Sequence, residues 1–426
     1  MKWLIVITIK QNLKSKKMYK EITKCRISNS SNLINVLSLG NQYLTGVFPK
    51  SKDEKVTIGP VDMVWCPESG LLQMRQSYSL VEMYGDNYGY RSGLNASMVK
   101  HLQKKIKTLE RLAKPSDQEL IIDIGSNDAT SLKAYSGKFR KVGIDPTGKK
   151  FKEYYTDDLT LIPDFFTADK FKNIFPNEKA KIITSIAMFY DLEDPRSFVS
   201  DIEKCLSEDG IWHFEQSYMP SMLKTNSYDT ICHEHLEFYS LKVIRNLLEG
   251  AGLRIIDVQM NDINGGSFAV TACKKDAIYK SNTPIINWML NQEEEMGLDT
   301  IKPYEEFAKR TAQHKKNLTD LIKALVADGK KVFGYGASTK GNVLLQYCGF
   351  TEKEIPFIVE VNTEKFGSYT PGTHIPIISE QEAKEMKPDY FLVLPWHFKN
   401  SIIVREEEYM SNGGKFIFPL PEIEII

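Results

Sequence analysis

The spacing of apolar and polar positions changes character along this chain. Between residues 20 and 80 there is no long helical period. Short apolar pieces such as "VDMVWC" alternate with turn signals and predict a small module of short strands. From about residue 95 the pattern lengthens. "ASMVKHLQKKIKTLERLA" repeats apolar residues at helical spacing and predicts an amphipathic helix. "ELIIDIGSNDATSLKAY" reads as strand, glycine turn and helix start. "FRKVGIDPT" and "KIITSIAMFYDLEDP" read as further strands, followed by a helix over 195–208, a turn at Asp209-Gly210 and the strand "GIWHFEQSY". Strands alternating with helices at this spacing predict a doubly wound parallel sheet. A charged helical stretch over 285–328 follows. "KKVFGYGASTKGNVLLQYCG", "IPFIVEV", "DYFLVLPW" and "GGKFIFPLPEIEII" then predict a second, smaller α/β unit of Rossmann-like type.

At 426 residues the chain is long enough for two or three domains. The pattern divides it into a possible extension (1–17, with Met18 an alternative start), an N-terminal module (18–85), a main α/β domain (86–280), and a helical linker with the C-terminal α/β domain (281–426). Lys+Arg and Asp+Glu both number 55, so no global charge favours nucleic acid or an anionic membrane. "MKWLIVITIK" is too short to span a bilayer and has no small-residue cleavage site. Six scattered cysteines fit a reducing cytoplasm, and a monomer or weak homodimer is expected. Cys25 in "CRIS" and Cys66 in "CPES" each resemble half a zinc knuckle whose second cysteine is serine. Structural zinc wants four Cys or His ligands, so zinc is not expected and the two thiols should pack as small apolar groups.

The first motif with chemistry is "IIDIGSNDAT". Gly125 after a strand lets the next helix aim its N-terminus at a ligand, with Asp123, Ser126 and Asn127 beside it. The three-glycine dinucleotide fingerprint is absent. Asp145 ends the next strand, 22 residues after Asp123, where an acid suits ribose hydroxyls. Asp164 and Phe165 in "IPDFF" would flank an adenine. This is the layout of class I S-adenosylmethionine methyltransferases. A buried glycine turn capped by Asn127 or Asp128 is the competing reading.

The second motif is "YDTICHEHLEFYS", which holds two of the seven histidines within three positions. The spacing lacks the i, i+4 pattern of helical zinc sites. In an extended segment His233 and His235 would share a face, with Glu234 opposite. A structural role is a cap for helix 240–250. A catalytic role is proton abstraction, since an imidazole of pKa near ~6.5 is a natural base at neutral pH. Methyl transfer to carbon needs that base and hydrogen-bond donors for the enolate; transfer to oxygen or nitrogen needs little beyond positioning.

"YDTICHEHLEFYSL", "NGGSFAV", "GYGASTKGNVLLQYCG", "SYTPGTHIPI" and "LPWHF" together resemble the sugar C-methyltransferase family, in order and from about residue 22 onward. The resemblance implies an N-terminal zinc-binding module, an S-adenosylmethionine domain of class I Rossmann-like fold and a C-terminal α/β domain. It also implies methylation at C3 of a nucleotide-linked 4-keto-deoxysugar. His235 then matches the base, Glu234 its acidic neighbour, and Tyr88 and Tyr90 of "DNYGYRSG" the tyrosines facing substrate. Cys232 and His233, which flank the base, are counted with it among the catalytic residues. Tyr190 and Tyr228 fall on the substrate side, and Gly336, Lys340 and Asn342 of the C-terminal turn on the diphosphate. The chain departs from the family at Cys232 (usually tyrosine), Tyr190 (usually histidine), His397 (commonly asparagine) and the two halved cysteine pairs. Other readings remain. One is methylation of another small acceptor at oxygen or nitrogen, and another is an inactive scaffold. A third is a nucleotide-sugar oxidoreductase using "GYGASTKG" as its dinucleotide loop, against which stands the lack of an obvious acid after the next strand.

Overall fold

The computed structural model describes residues 18–83 and 90–426. At its centre is a seven-stranded sheet in the order Leu253–Asn261, Ser267–Lys274, Leu206–Ser217, Ala180–Ile186, Leu120–Ile124, Arg140–Ile144, Leu159–Ile162. Ser267–Lys274 runs antiparallel to both of its neighbours, and the pairs from Leu206–Ser217 to Leu159–Ile162 are parallel. "LIIDI" is buried at all five positions because helices cover both faces of a parallel sheet. The chain starts this sheet in the middle, moves outward, then returns to the other side of Leu120–Ile124. That reversal opens a crevice at the strand ends, where ligands bind in doubly wound folds. One reversed strand in a seven-stranded sheet of this order is the class I methyltransferase arrangement.

Helix Ala96–Ala113 forms as the pattern predicts: Asn95 caps it, accepting from Ser97 N and Met98 N, and Leu102, Ile106, Leu109 and Ala113 face the sheet. The helix expected over 195–208 stops at Cys205, because the next strand starts at Leu206. The Asp209-Gly210 turn is an irregularity inside that strand, between Leu206 and Ile211. The charged stretch is two helices, Thr283–Glu295 and Lys302–Ala327. Glu293 of the first is buried and caps helix Leu241–Gly250. It accepts from Leu241 N at 2.5 Å, Lys242 N at 2.9 Å and the Tyr218 hydroxyl at 2.7 Å.

The C-terminal sheet has the order Ile377–Ser379, Ile358–Glu360, Val332–Tyr335, Tyr390–Val393, Lys415–Phe418, Glu424–Ile425, parallel except for the last strand. Its own switch point lies between Val332–Tyr335 and Tyr390–Val393. Near the N-terminus, strands Ile34–Tyr43, Ile58–Trp65 and Leu72–Met74 form an antiparallel sheet whose fourth strand is remote in sequence: Glu237–Phe238, directly after the H-E-H stretch. This pairing locks the H-E-H loop between the three sheets. Among the described residues no helix is long and apolar enough to cross a membrane.

Candidate active site

The glycine turn lies at the crevice of the seven-stranded sheet. Gly125 adopts φ +74°, a conformation that favours glycine, and a Cβ there would press on Met188 Cγ at 3.1 Å. Asp145 Oδ2 accepts from Asn127 N at 2.8 Å, while Oδ1 accepts from Thr147 N and the Thr147 hydroxyl, both at 2.6 Å. This carboxylate therefore shapes the turn with three of its roughly four acceptor sites, and keeps about one for a ligand. Ser126 Oγ is 2.7 Å from the Tyr155 hydroxyl. Asp123 accepts from the Thr184 hydroxyl at 2.6 Å; burial, eased by that bond and reinforced by Asp145, lifts its pKa to about 7. Asp123 thus braces the strand ends from inside.

At the same rim Phe165 is 45% exposed and Asp164 pairs with Lys170 at 2.8 Å. Asn127 and Asp128 also clip the incoming segment: Asn127 Nδ2 donates to Tyr90 O at 3.2 Å, Ser92 N to Asn127 Oδ1 at 3.0 Å, and Gly93 N to Asp128 Oδ2 at 2.9 Å. Tyr90 is 49% exposed beside the turn, and Tyr88 lies outside the described residues.

The H-E-H stretch is a turn, with His235 N donating to Cys232 O at 3.2 Å, and not an extended segment. His233 and His235 consequently meet different surroundings. His233 is fully buried against Tyr78, with ring centroids 4.6 Å apart, and beside the Gln42 backbone. It is packing for the N-terminal sheet, which corrects its assignment to catalysis. His235 Nδ1 lies 2.7 Å from Thr230 O. A carbonyl only accepts, so Nδ1 carries the proton and Nε2 keeps its lone pair. Burial, opposed by the Thr230 bond and aided by the Lys340 charge, lowers the His235 pKa to about 4. The ring is neutral at pH 7 and lies 4.4 Å, centroid to centroid, from Tyr190.

Glu234 turns toward residues 45–46. The Thr45 hydroxyl is 3.5 Å from Glu234 Oε2, and a Cβ on Gly46 would come within 2.6 Å of Oε1. Burial raises the Glu234 pKa, and it drives that of the Cys232 thiol well above the ordinary value, with Glu234 adding to it.

The C-terminal unit closes the other side. The Trp396 indole donates to Asp229 Oδ2 at 2.8 Å. The Lys340 ammonium acts electrostatically on Asp229, Cys232, His235 and His397, and burial lowers its own pKa. Residue pattern alone does not single out Asp229 and Trp396, although both lie inside motifs quoted above. Two expected substrate residues are structural instead: Tyr228 is fully buried, its hydroxyl 3.0 Å from His314 Nδ1, and buried Asn342 donates to Thr45 O at 2.7 Å. Gly336, at φ +85°, turns under Pro395, which a Cβ would meet at 2.7 Å.

The second strand of the C-terminal unit, Ile358–Glu360, does end in an acid, Glu360, contrary to expectation. It is spent on the fold: it accepts from Ala337 N at 2.9 Å, Val361 N at 2.8 Å and Asn362 N at 3.0 Å. Residues 43–50 lie across this unit, through Tyr43 N to Gln346 Oε1 at 2.7 Å, Tyr369 N to Pro49 O at 2.8 Å and Lys50 Nζ to Ser368 Oγ at 2.8 Å. This strap and the committed acid are unsuited to a dinucleotide.

Comparison with known proteins bears on the same three parts. Family models match as a "Putative zinc binding domain" at 25–84, a "Methyltransferase domain" at 98–258 and a "C-methyltransferase C-terminal domain" at 262–421. The chain is 32% identical over 411 residues to C-methyltransferase NovU of Streptomyces niveus, covering 96% of this chain and 97% of that one. The chain belongs to the C-methyltransferase family. Among solved structures, an S-adenosylmethionine-dependent methyltransferase from Clostridium acetobutylicum is 11% identical, covering 41% of this chain and 92% of that chain at TM-score 0.32. A chain of the complex between the Haloferax volcanii Trm112 methyltransferase activator and a methyltransferase is 15% identical, covering 42% and 94% at TM-score 0.33.

This C-methyltransferase is S-adenosylmethionine-dependent, and the glycine turn with Asp145 and the clipped Tyr90–Gly93 segment fits that cofactor. Zinc fits the N-terminal loops poorly, because Cys25 and Cys66 face the hydroxyls of Ser69 and Ser28, which are poor zinc ligands.

Proposed function

We propose that the acceptor is a nucleotide-linked 4-keto-deoxysugar, methylated at C3, and that the enzyme is cytoplasmic. The observation that carries this reading is the fixed tautomer of His235, a neutral imidazole whose Nδ1 is committed to Thr230 O and whose Nε2 is unprotonated. Oxygen or nitrogen acceptors have little need of such a base; a C–H beside a ketone does.

When bound, the cofactor supplies the electrophilic methyl group on its sulfonium. The protein does the rest. His235 Nε2 takes the C3 proton, and the electron pair left behind is delocalised onto the C4 oxygen as an enolate. Thr230 O holds the imidazolium through Nδ1–H. Glu234, braced by Thr45, orients the sugar through its carboxyl group. Lys340 supplies the positive charge that offsets the enolate, together with a phenol from Tyr88 or Tyr90. Cys232, a weaker donor than the usual phenol, leaves that task to them. The nucleotide diphosphate lies toward the helix Thr339–Cys348, whose N-terminal N–H groups favour anions.

The test is deuterium exchange at C3 in D2O with S-adenosylhomocysteine in place of the methyl donor. The wild type should exchange the C3 proton of a dTDP- or GDP-linked 4-keto-6-deoxysugar without methylation. His235→Gln should lose exchange by ~10²-fold or more while binding S-adenosylhomocysteine normally. Methylation by His235→Gln at near wild-type rate would point to a heteroatom acceptor and discard the reading.

A further inference from the structure

Residues 25–30 and 66–71 form two loops of one design. Cys25 N donates to Ser30 O at 2.8 Å while Asn29 N donates to Cys25 O at 3.0 Å; Cys66 N donates to Leu71 O at 3.0 Å while Gly70 N donates to Cys66 O at 2.8 Å. Each loop turns on a left-handed residue, Asn29 at φ 63° and Gly70 at φ 73°. The third residue after each cysteine is serine, and the two loops cross-pair. Cys25 Sγ lies 3.3 Å from Ser69 Oγ, and Cys66 Sγ lies 3.4 Å from Ser28 Oγ. Four side chains thus converge from two matched turns, as four ligands would around a tetrahedral ion.

The donors are nonetheless wrong for zinc. Two are neutral hydroxyls, poor ligands for zinc, and the Cys66 thiol is engaged by Glu68 Oε2 at 3.3 Å. Both sulfurs are buried, Cys25 at 2% and Cys66 at 0% exposure, so these contacts are what the loops close on.

We propose that the crossed thiol–hydroxyl pairs have taken the place of a zinc ion, so that the N-terminal unit closes its two loops without metal. The closure matters beyond the module. Arg26, the residue after Cys25, donates to Met74 O at 2.6 Å and Ser77 Oγ at 2.9 Å, and reaches Glu237 at 3.5 Å on the strand that follows H-E-H. A metal-free clasp therefore fixes the edge of the candidate active site.

The experiment compares the full-length wild type with Ser28→Cys/Ser69→Cys, each incubated with zinc or cobalt, desalted and assayed for bound metal and melting temperature. The wild type should retain less than ~0.1 equivalent of zinc and melt at the same temperature with or without chelator. The double variant should take up a single ion, show the visible bands of tetrahedral cobalt thiolate, and melt lower once chelated. Stoichiometric zinc in the wild type, with a lower melting temperature on its removal, would overturn the proposal. So would a folded double variant that binds no metal, because the loops would then not be a knuckle. The wild-type arm decides the matter even if the double variant fails to fold, and neither arm depends on the sugar substrate.

Discussion

Two side chains next to each other in sequence carry the most exposed predictions at the residue scale. His235 is held neutral mainly by burial, with a pKa near 4 against an ordinary value of ~6.5. A base must be unprotonated to act, so activity is lost only as the pH falls through the folded-state pKa. The acid limb of kcat/KM should therefore lie near pH 4, not between 6 and 7; a limb at the ordinary histidine value would show that the working base is elsewhere. Glu234 is positioned sterically. Gly46 has no φ that demands glycine, yet a methyl group there would lie 2.6 Å from Glu234 Oε1. Gly46→Ala should leave the melting temperature nearly unchanged and cut kcat by up to ~10²-fold, the scale set by displacing a reacting group about an ångström. Gly46→Ser should lose activity in the same way, which separates a steric cause from a hydrophobic one.

Glu293 makes the corresponding case at the scale of elements. It comes from helix Thr283–Glu295, but its carboxylate caps helix Leu241–Gly250 and accepts the buried Tyr218 hydroxyl. Glu293→Ala leaves two helix-end N–H groups and a phenol without their partner and should cost about 2–4 kcal/mol, read from urea midpoints at constant slope. Local elements of this kind are visible in the sequence to very different degrees. Strands such as "LIIDI" and helix 96–113 can be read because burial on both faces, or on one stripe, writes its period directly into neighbouring residues. The H-E-H stretch announces itself by composition, but its shape does not: it turns because Glu237 and Phe238 pair with Gln73 and Leu72 of a distant strand. With that turn, His233 packs on Tyr78 and His235 on Tyr190. Asn342 and Tyr228 depart from expectation for the same reason, since their partners Thr45 and His314 are remote and a polar side chain looks alike whether it meets a ligand or a buried partner.

Over the whole molecule, the two chemical tasks belong to different surfaces. The cofactor turn is built within the seven-stranded sheet. His235 and Glu234 meet Lys340 and Thr45 where the C-terminal and N-terminal units dock onto the H-E-H loop. Trp396 is the cleanest probe of that docking. Its indole N–H reaches across 167 residues to Asp229 Oδ2 at 2.8 Å, and Asp229 Oδ1 has no hydrogen-bond partner among the described residues. Burial already raises the pKa of this carboxyl group, which Lys340 and the indole pull back. Trp396→Phe keeps most of the packing and removes the single N–H, leaving a buried acid more poorly satisfied at the joint. Turnover should fall by ~10-fold or more, while the affinity for S-adenosylhomocysteine, measured by titration calorimetry, should stay within about two-fold of wild type. A parallel loss of cofactor affinity would mean that the C-terminal unit shapes the glycine turn as well, and that cofactor binding and base placement are one task.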